Sequence, residues 1–430
     1  MNKIMSRLQR FGKIRQLHTI ISQDTIRPSS PTPPHLKTHN LSLLDQLAPN
    51  IHMPFVFFYP NYKNCDTNIL KQSLSQCLTQ YYPFAGRILS PREPYINCND
   101  EGVEFIEAFN DSALDDFIDK NEKDETIDQL FPYGFSSTAQ ASSPKLLEVQ
   151  LNHFAGGGAA VALSISHKLA DAMTIANFIN HWATITRRGS LINPCFIPSK
   201  SRINNIRLPE FIVKDLHELN YATRRFVFPN SKLNELKKKV IAMGKTPANP
   251  TRVEVLTSLL FKHAVSAAIK KSGSLKPSNL FITVNMRNKF VQKYPETAAG
   301  NLFTLVIANM ADSDEIGLSK VIAGVREGKM ELEGIRNEQE VVEKLANTFS
   351  NLHGDIYYSS SVCRIPFYEV DFGWGKPVDV TIRIPNVDEN SLILMDTPCR
   401  DGITALVRLP EEEMAILVKD KEFLTYVENV

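Results

Sequence analysis

His167 and Asp171, four residues apart in HKLAD, are residue types that could share acid–base chemistry. An imidazole near neutral pKa can take a proton from a hydroxyl and return it to a leaving group. A carboxylate one turn further along could orient that ring, or tie the corner to a distant arginine. A lone histidine is nevertheless more often a core residue with both nitrogens satisfied. A metal would need a third ligand, and neither His153 nor His181 stands at zinc-motif spacing, so no metal is expected. Ser164 and Ser166 adjoin the histidine, but there is no GxSxG elbow, and ordinary strand hydroxyls are the simpler reading. The second unusual stretch is DFGWG, Asp371 to Gly375. An aspartate followed by two glycines around a tryptophan implies a constrained loop. Such a loop could be a structural bulge, a ligand gate or an aromatic wall.

The elements that must hold His167 are legible from Leu146 to Arg188. Leu147, Val149 and Leu151 alternate as a half-buried strand, and Val161, Leu163 and Ile165 do so again. Gly156-Gly157-Gly158 between them supplies the unrestricted φ of a tight reversal. Beyond Asp171 the period becomes helical, with Ile175, Phe178, Ile179, Trp182 and Ile185 on one stripe. His167 therefore sits on a strand-to-helix corner.

At 430 residues the chain exceeds one ordinary core, and two domains are expected. Strand-like runs are PFVFFYP, LFITVNMR and GNLFTLVIANM, followed by four short segments: FYEVDFGWGKP, TIRIPN, SLILMDT and ITALVRLP. Helical stripes run over Asn68–Tyr81, Ser231–Met243, VEVLTSLLFKHAVSAAIKK and Ser319–Phe349. Thr251 and Glu254 stand at capping-box spacing. The pattern divides into a basic extension (1–25), a first domain (26–190), a crossover linker (191–222) and a second domain (223–430). A formal charge of +1 gives no field for nucleic acid or anionic membrane. No apolar run reaches the roughly 20 residues of a membrane span. Six cysteines without a CxxC pair read as free thiols in a reducing, cytoplasmic setting. Lys3, Arg7, Arg10, Lys13 and Arg15, with no acid before Asp24, also fit a mitochondrial or other organelle transit segment.

Jointly, HxxxD and, about 200 residues later, DFGWGKP make the chain resemble the BAHD family of plant acyl-CoA-dependent acyltransferases, its alkaloid and acylsugar branches above all. PSSPTP, LSLLDQ, FFYP, YYPFAGR, NPTRVEV, VNMR and GN follow in the family's order, so the resemblance covers almost the whole chain. It implies an α/β fold of two chloramphenicol-acetyltransferase-like domains, joined by a long crossover loop, with an active-site channel between them. It implies acyl-CoA, acetyl-CoA by default, as co-substrate, a small-molecule hydroxyl or amine as acceptor, and a monomer.

In that resemblance His167 matches the general base, acting without an acyl-enzyme. Asp171 matches an aspartate that pairs with the arginine of NxR, here Arg287, and so fixes the corner. Asp371 belongs to the loop a competent enzyme requires, with Gly373, Trp374 and Gly375 structural within it. Ser360, in the Ser360-Ser361-Val362 segment, is the candidate oxyanion donor, and Val362 replaces a common tryptophan, which should reshape the acyl/acceptor junction. Thr251 and Arg252, opening a helix, with Asn285 and Asn301, are the expected CoA-binding residues. Peptide-synthetase condensation domains share the fold but carry a second histidine where Ser166 stands. A serine hydrolase and a silent binding protein are the remaining alternatives.

Overall fold

Aromatic and β-branched runs buried on both faces build the centre of each half of the molecule. The computed structural model describes residues 18–62, 67–89, 94–119, 127–132, 145–190, 192–197, 220–244, 249–309, 316–350, 352–384 and 390–428. Two six-stranded sheets dominate. The first has the order β1 (His18–Ile26), β5 (Val103–Asn110), β6 (Leu147–Phe154), β7 (Ala159–Ser166), β3 (His52–Tyr59) and β14 (Asp379–Ile382). The second has the order β12 (Phe303–Asn309), β10 (Ser278–Asn285), β13 (Asp355–Ser361), β15 (Asn390–Asp396), β16 (Gly402–Pro410) and β9 (Tyr221–Pro229). Two short ribbons pair β2 (Thr38–Asn40) with β4 (Tyr95–Asn97), and β8 (Cys195–Phe196) with β11 (Ala298–Ala299).

The expected strand–turn–strand–helix around His167 is present. β6 and β7 pair antiparallel, and Gly156, Gly157 and Gly158 all take positive φ in the turn. Helix Ala172–Thr186 buries Ile175, Phe178, Ile179 and Trp182 against helix Thr67–Gln80, and Trp182 Nε1 donates to Leu70 O (3.2 Å) and Ser73 Oγ (3.0 Å).

Three features depart from the sequence reading. Residues from His18 onward, assigned to a basic extension, form an edge strand of the first sheet; residues 1–17, with the basic cluster, lie outside the described residues. Most of the expected crossover, 198–219, does too. FYEVDFGWGKP is not a strand: Pro366–Glu369 is a 3-10 turn and DFGWG a loop. The unforeseen β13 is central to the second sheet, its serine-rich end hiding the alternation.

The two halves also exchange chain. β14 follows the second half in sequence, yet it pairs antiparallel with β3 of the first sheet, Asp379 opposite Phe58. Val362, Phe367, Val370, Phe372 and Val380 join the apolar cluster of that first half. One face of the second sheet, including Leu280, Leu392, Leu394, Ala405 and Val407, packs on its helices. The other face carries Thr283, Phe303 and Ser360 and turns toward the first half, where Ile393 and Leu406 enter the first half's cluster. Arg225 in β9 binds Asp379 of β14 through Nη1 (2.7 Å) and Nη2 (2.9 Å), clamping the sheets together at that edge.

Candidate active site

The corner after β7 is where the halves meet through polar side chains. The His167 backbone N–H donates to Ile51 O (2.8 Å), anchoring the corner to the start of β3. Its Nδ1 lies 3.0 Å from Asn301 Oδ1, and its ring packs at 5.5 Å on Phe303 of β12. Asn301 Nδ2 donates to His167 O (2.7 Å) and to Asp45 Oδ1 (2.8 Å). Both of those partners are acceptors, so the amide oxygen must be the atom facing the imidazole. Nδ1 therefore carries the proton and donates, and Nε2 keeps a lone pair. Among the described residues nothing is bonded to Nε2. Burial pushes the His167 pKa below the ordinary imidazole value, which keeps the ring neutral. The arrangement has the chemistry of a general base.

Asp171 does not orient that ring. It caps helix Ala172–Thr186, accepting from Thr174 N (2.9 Å), and forms a two-pronged ion pair with Arg287, Nη1 to Oδ2 at 2.7 Å and Nη2 to Oδ1 at 3.0 Å. Leu302 N adds a third donor at 3.1 Å. Burial raises this carboxyl's pKa, but the guanidinium and the backbone N–H groups outweigh it and hold Asp171 below the usual carboxylate range. Arg287 also reaches Thr174 Oγ1 and Ala298 O, so the corner is stitched to the second half by several bonds.

The DFGWG loop stands elsewhere. Trp374 packs edge-on against Tyr59 (5.3 Å) and Tyr62 (4.7 Å). Tyr59 ends β3 opposite Ala159, whereas His52, at the other end, faces Ser166 beside His167. At about 3.3 Å per residue, seven steps of strand separate the loop from the histidine by roughly 23 Å. Asp371, grouped with the catalytic residues on sequence, is thus far from the His167 ring. Its Oδ1 accepts from Gly373 N (2.7 Å) and Gly375 N (3.0 Å), while Oδ2 pairs with Arg187 (3.2 Å). Gly373 and Gly375 hold φ of +102° and +88°, which only glycine adopts without strain.

Ser360 in β13 accepts a hydrogen bond from Thr283 Oγ1 at 3.1 Å, which leaves its own hydroxyl hydrogen to donate. The register places Thr283 two residues before Asn285, the partner of Phe303, so Ser360 shares the sheet face that His167 addresses. Val362 is buried in the first half's apolar cluster, with its N–H on Leu394 O (2.8 Å).

Of the residues expected to bind CoA, Thr251 caps helix Arg252–Ser272 in a full capping box with Glu254. Arg252 bonds Asn230 Oδ1. Asn285 is exposed, and its Oδ1 turns back onto Arg287 N (3.0 Å). Asn301 is the correction: 1% exposed, with its side chain fully used by His167 and Asp45, it cannot reach a cofactor. Ser164 is likewise unavailable to His167, being bonded to His52 Nδ1 (3.1 Å). His153 meets Glu107 (3.4 Å) and His181 meets Tyr81 Oη (2.6 Å), and no metal-ligand group forms among the described residues. Asp45 and Thr283 were not foreseen. For Asp45 a signal existed, since Ser42 and Asp45 in LSLLDQ stand at capping spacing.

A family model described as the Transferase family matches residues 18–424. Stemmadenine O-acetyltransferase of Catharanthus roseus is 34% identical, over 93% of this chain and 96% of that protein. The 17,18-epoxy-17-hydroxycur-19-ene N-malonyltransferase of Strychnos nux-vomica is 32% identical, over 95% and 90%. The crystal structure of vinorine synthase superposes with a TM-score of 0.81 at 29% identity, covering 96% of this chain and 98% of that one. With its chloramphenicol-acetyltransferase-like halves and its match over nearly the whole length, this chain belongs to the Transferase family of BAHD acyltransferases.

Proposed function

We propose that the protein transfers a short acyl group from acyl-CoA to a hydroxyl of a plant specialised metabolite, an alkaloid alcohol or a partly acylated sugar. The observation that carries this reading is the His167–Asn301 bond, which supports a ring proton on Nδ1 and a lone pair on Nε2 to act as the base. His167 Nε2 takes the acceptor's hydroxyl proton as that oxygen bonds to the thioester carbon. The carbonyl electron pair moves onto oxygen, where the Ser360 hydroxyl donates to the resulting oxyanion. The intermediate then expels CoA thiolate, and the imidazolium returns its proton to sulfur.

Acetyl is the default donor, in keeping with the O-acetyltransferase among the relatives. The N-terminus of helix Arg252–Ser272, with Thr251 and Arg252, suits CoA phosphates, because free N–H groups and the helix dipole favour anions. Amide formation is the second reading, favoured by the similarity to an N-malonyltransferase, and the same base would serve an amine. Cys77, Cys98, Cys195, Cys363 and Cys399 are free thiols, which suits a cytoplasmic setting. No helix among the described residues is long and apolar enough to cross a membrane.

The test is to incubate the full chain with acetyl-CoA, malonyl-CoA or a branched acyl-CoA against hydroxylated alkaloids, partly acylated sugars and amines. Free CoA thiol and product mass are both measured. Equal amounts of thiol and ester are expected, with loss of turnover in His167→Ala. An amide product would favour the second reading, and unchanged turnover in His167→Ala would sink both.

A further inference from the structure

Ser42 and Asp45 open the five-residue helix Leu43–Leu47 with a capping box. Asp45 N–H donates to Ser42 Oγ (3.0 Å), and Asp45 Oδ2 accepts from Ser42 N (3.0 Å). A capping box occupies one carboxylate oxygen. The other, Oδ1, points across the junction between the halves and accepts two bonds from one residue: Asn301 N (2.7 Å) and Asn301 Nδ2 (2.8 Å). Gly300 supplies the turn that brings Asn301 to Asp45, since its φ of +128° is one that L side chains rarely adopt. Asp45 is 3% exposed, and no cation bonds to it among the described residues; the Lys168 ammonium, which feels the Asp45 charge through space, donates to Gln46 O (2.8 Å). A buried carboxylate without a cation is costly, and a helix cap alone does not require one to face Asn301.

We propose that Asp45 is a positioning residue for His167: by accepting from the Asn301 amide it dictates which end of that amide meets the imidazole, and so fixes the ring proton on Nδ1. The proposal rests on the reading of His167 as the base. Asp45 Oδ1 and His167 O both accept from Asn301 Nδ2, so only the Asn301 carbonyl oxygen can face Nδ1. An asparagine at position 45 satisfies Ser42 N–H through its oxygen only by turning its NH2 toward Asn301. That sets NH2 against NH2 and against the Asn301 backbone N–H, and leaves His167 O alone to hold the Asn301 amide. Where the amide reverses, NH2 faces Nδ1 and the ring proton moves to Nε2, where the base is lost. Burial raises the Asp45 pKa to about 6, against the bonds from Asn301 and Ser42.

The experiment labels the full chain with 15N-histidine and reads the protonated ring nitrogen of His167 by NMR at pH 7.5, assigning the signal with His167→Ala. Wild type should show Nδ1–H. Asp45→Asn should shift the proton wholly or partly to Nε2, and its CoA release from acetyl-CoA should fall at least tenfold, toward the roughly 10⁴-fold cost of a wrong imidazole tautomer. Ser42→Ala removes only the cap and should keep Nδ1–H. If Asp45→Asn does not fold, Asn301→Ala cuts the same link from the other side and should lose the Nδ1–H preference. Nε2–H in wild type, retained Nδ1–H in the Asp45 or Asn301 variant, or an equal shift in Ser42→Ala would overturn the proposal. The tautomer is read without turnover, so failure here is distinct from failure of the base, which His167→Ala activity decides.

Discussion

Asp171 and Asp371, the aspartates of the two motifs, stand at opposite ends of one helix. Asp171 caps the N-terminus of Ala172–Thr186, and Arg187, which caps its C-terminus, holds Asp371. At about 1.5 Å per residue the helix sets them roughly 22 Å apart. Asp171 is 6% exposed and binds a guanidinium from the other half of the molecule. Asp371 is partly exposed and spends its carboxylate mainly on the backbone of its own loop. The same residue type thus secures the interface at one end and a local loop shape at the other. Neither carboxylate touches the His167 ring. What links both motifs to the His167 corner is the helix between them.

The largest effect expected along this axis is at the base itself. His167→Ala should lower kcat by about 10²–10⁴-fold with little change in acyl-CoA binding, read by CoA release and by titration with CoA. Next comes Arg287→Met, which leaves Asp171 buried and unpaired. A loss of about 3–5 kcal/mol is expected in denaturant unfolding, with activity falling alongside. A near-neutral result would mean that the interface is held elsewhere. Asp371→Ala should cost less, about 1–2 kcal/mol, from two backbone N–H groups losing their acceptor. Arg187→Ala, removing only the exposed ion pair, should stay within about 1 kcal/mol. If these last two matched Arg287→Met, the contrast between the ends would collapse.

The pH dependence separates the same groups. His167 has its pKa lowered by burial, so kcat/KM should hold through neutral pH and fall only below the ordinary imidazole range, about 6.5. The Asp171 pKa is depressed in the folded state, so its contribution is complete above its unfolded value and is lost as acid titrates the folded carboxyl. Asp45 and Glu338 behave oppositely: burial raises them to about 6 and about 7. Their protonated forms favour the fold, and that stability is present in acid and lost as pH rises through those values. Thermal melts from pH 4 to 8 should therefore show a decline toward neutrality that Glu338→Gln reduces.

Local patterns carried the corner's elements into view, because alternation and helical period are properties of neighbouring residues. The motif spacing of HxxxD and DFGWG carried the family. Register did not carry: TIRIPN reads as a strand, but nothing in its residues says that it pairs with β3 across the junction. β13 was missed because Ser359, Ser360 and Ser361 erase its alternation. Asn301 was placed at a cofactor because its GN signal marks a turn, and only the fold shows that the turn delivers an amide to His167. Asp45 had a cap signature whose second oxygen is invisible in sequence.

The strand β14 has one more consequence. A polypeptide cut in the crossover would yield a first piece ending before β9, with β3 as an uncovered rim of Phe55, Val56, Phe57 and Phe58. Such a rim is a template for intermolecular strand pairing. The chain is therefore a poor candidate for split reporters or for stepwise release of finished domains during translation, since the first half gains its last strand only after most of the second has been made.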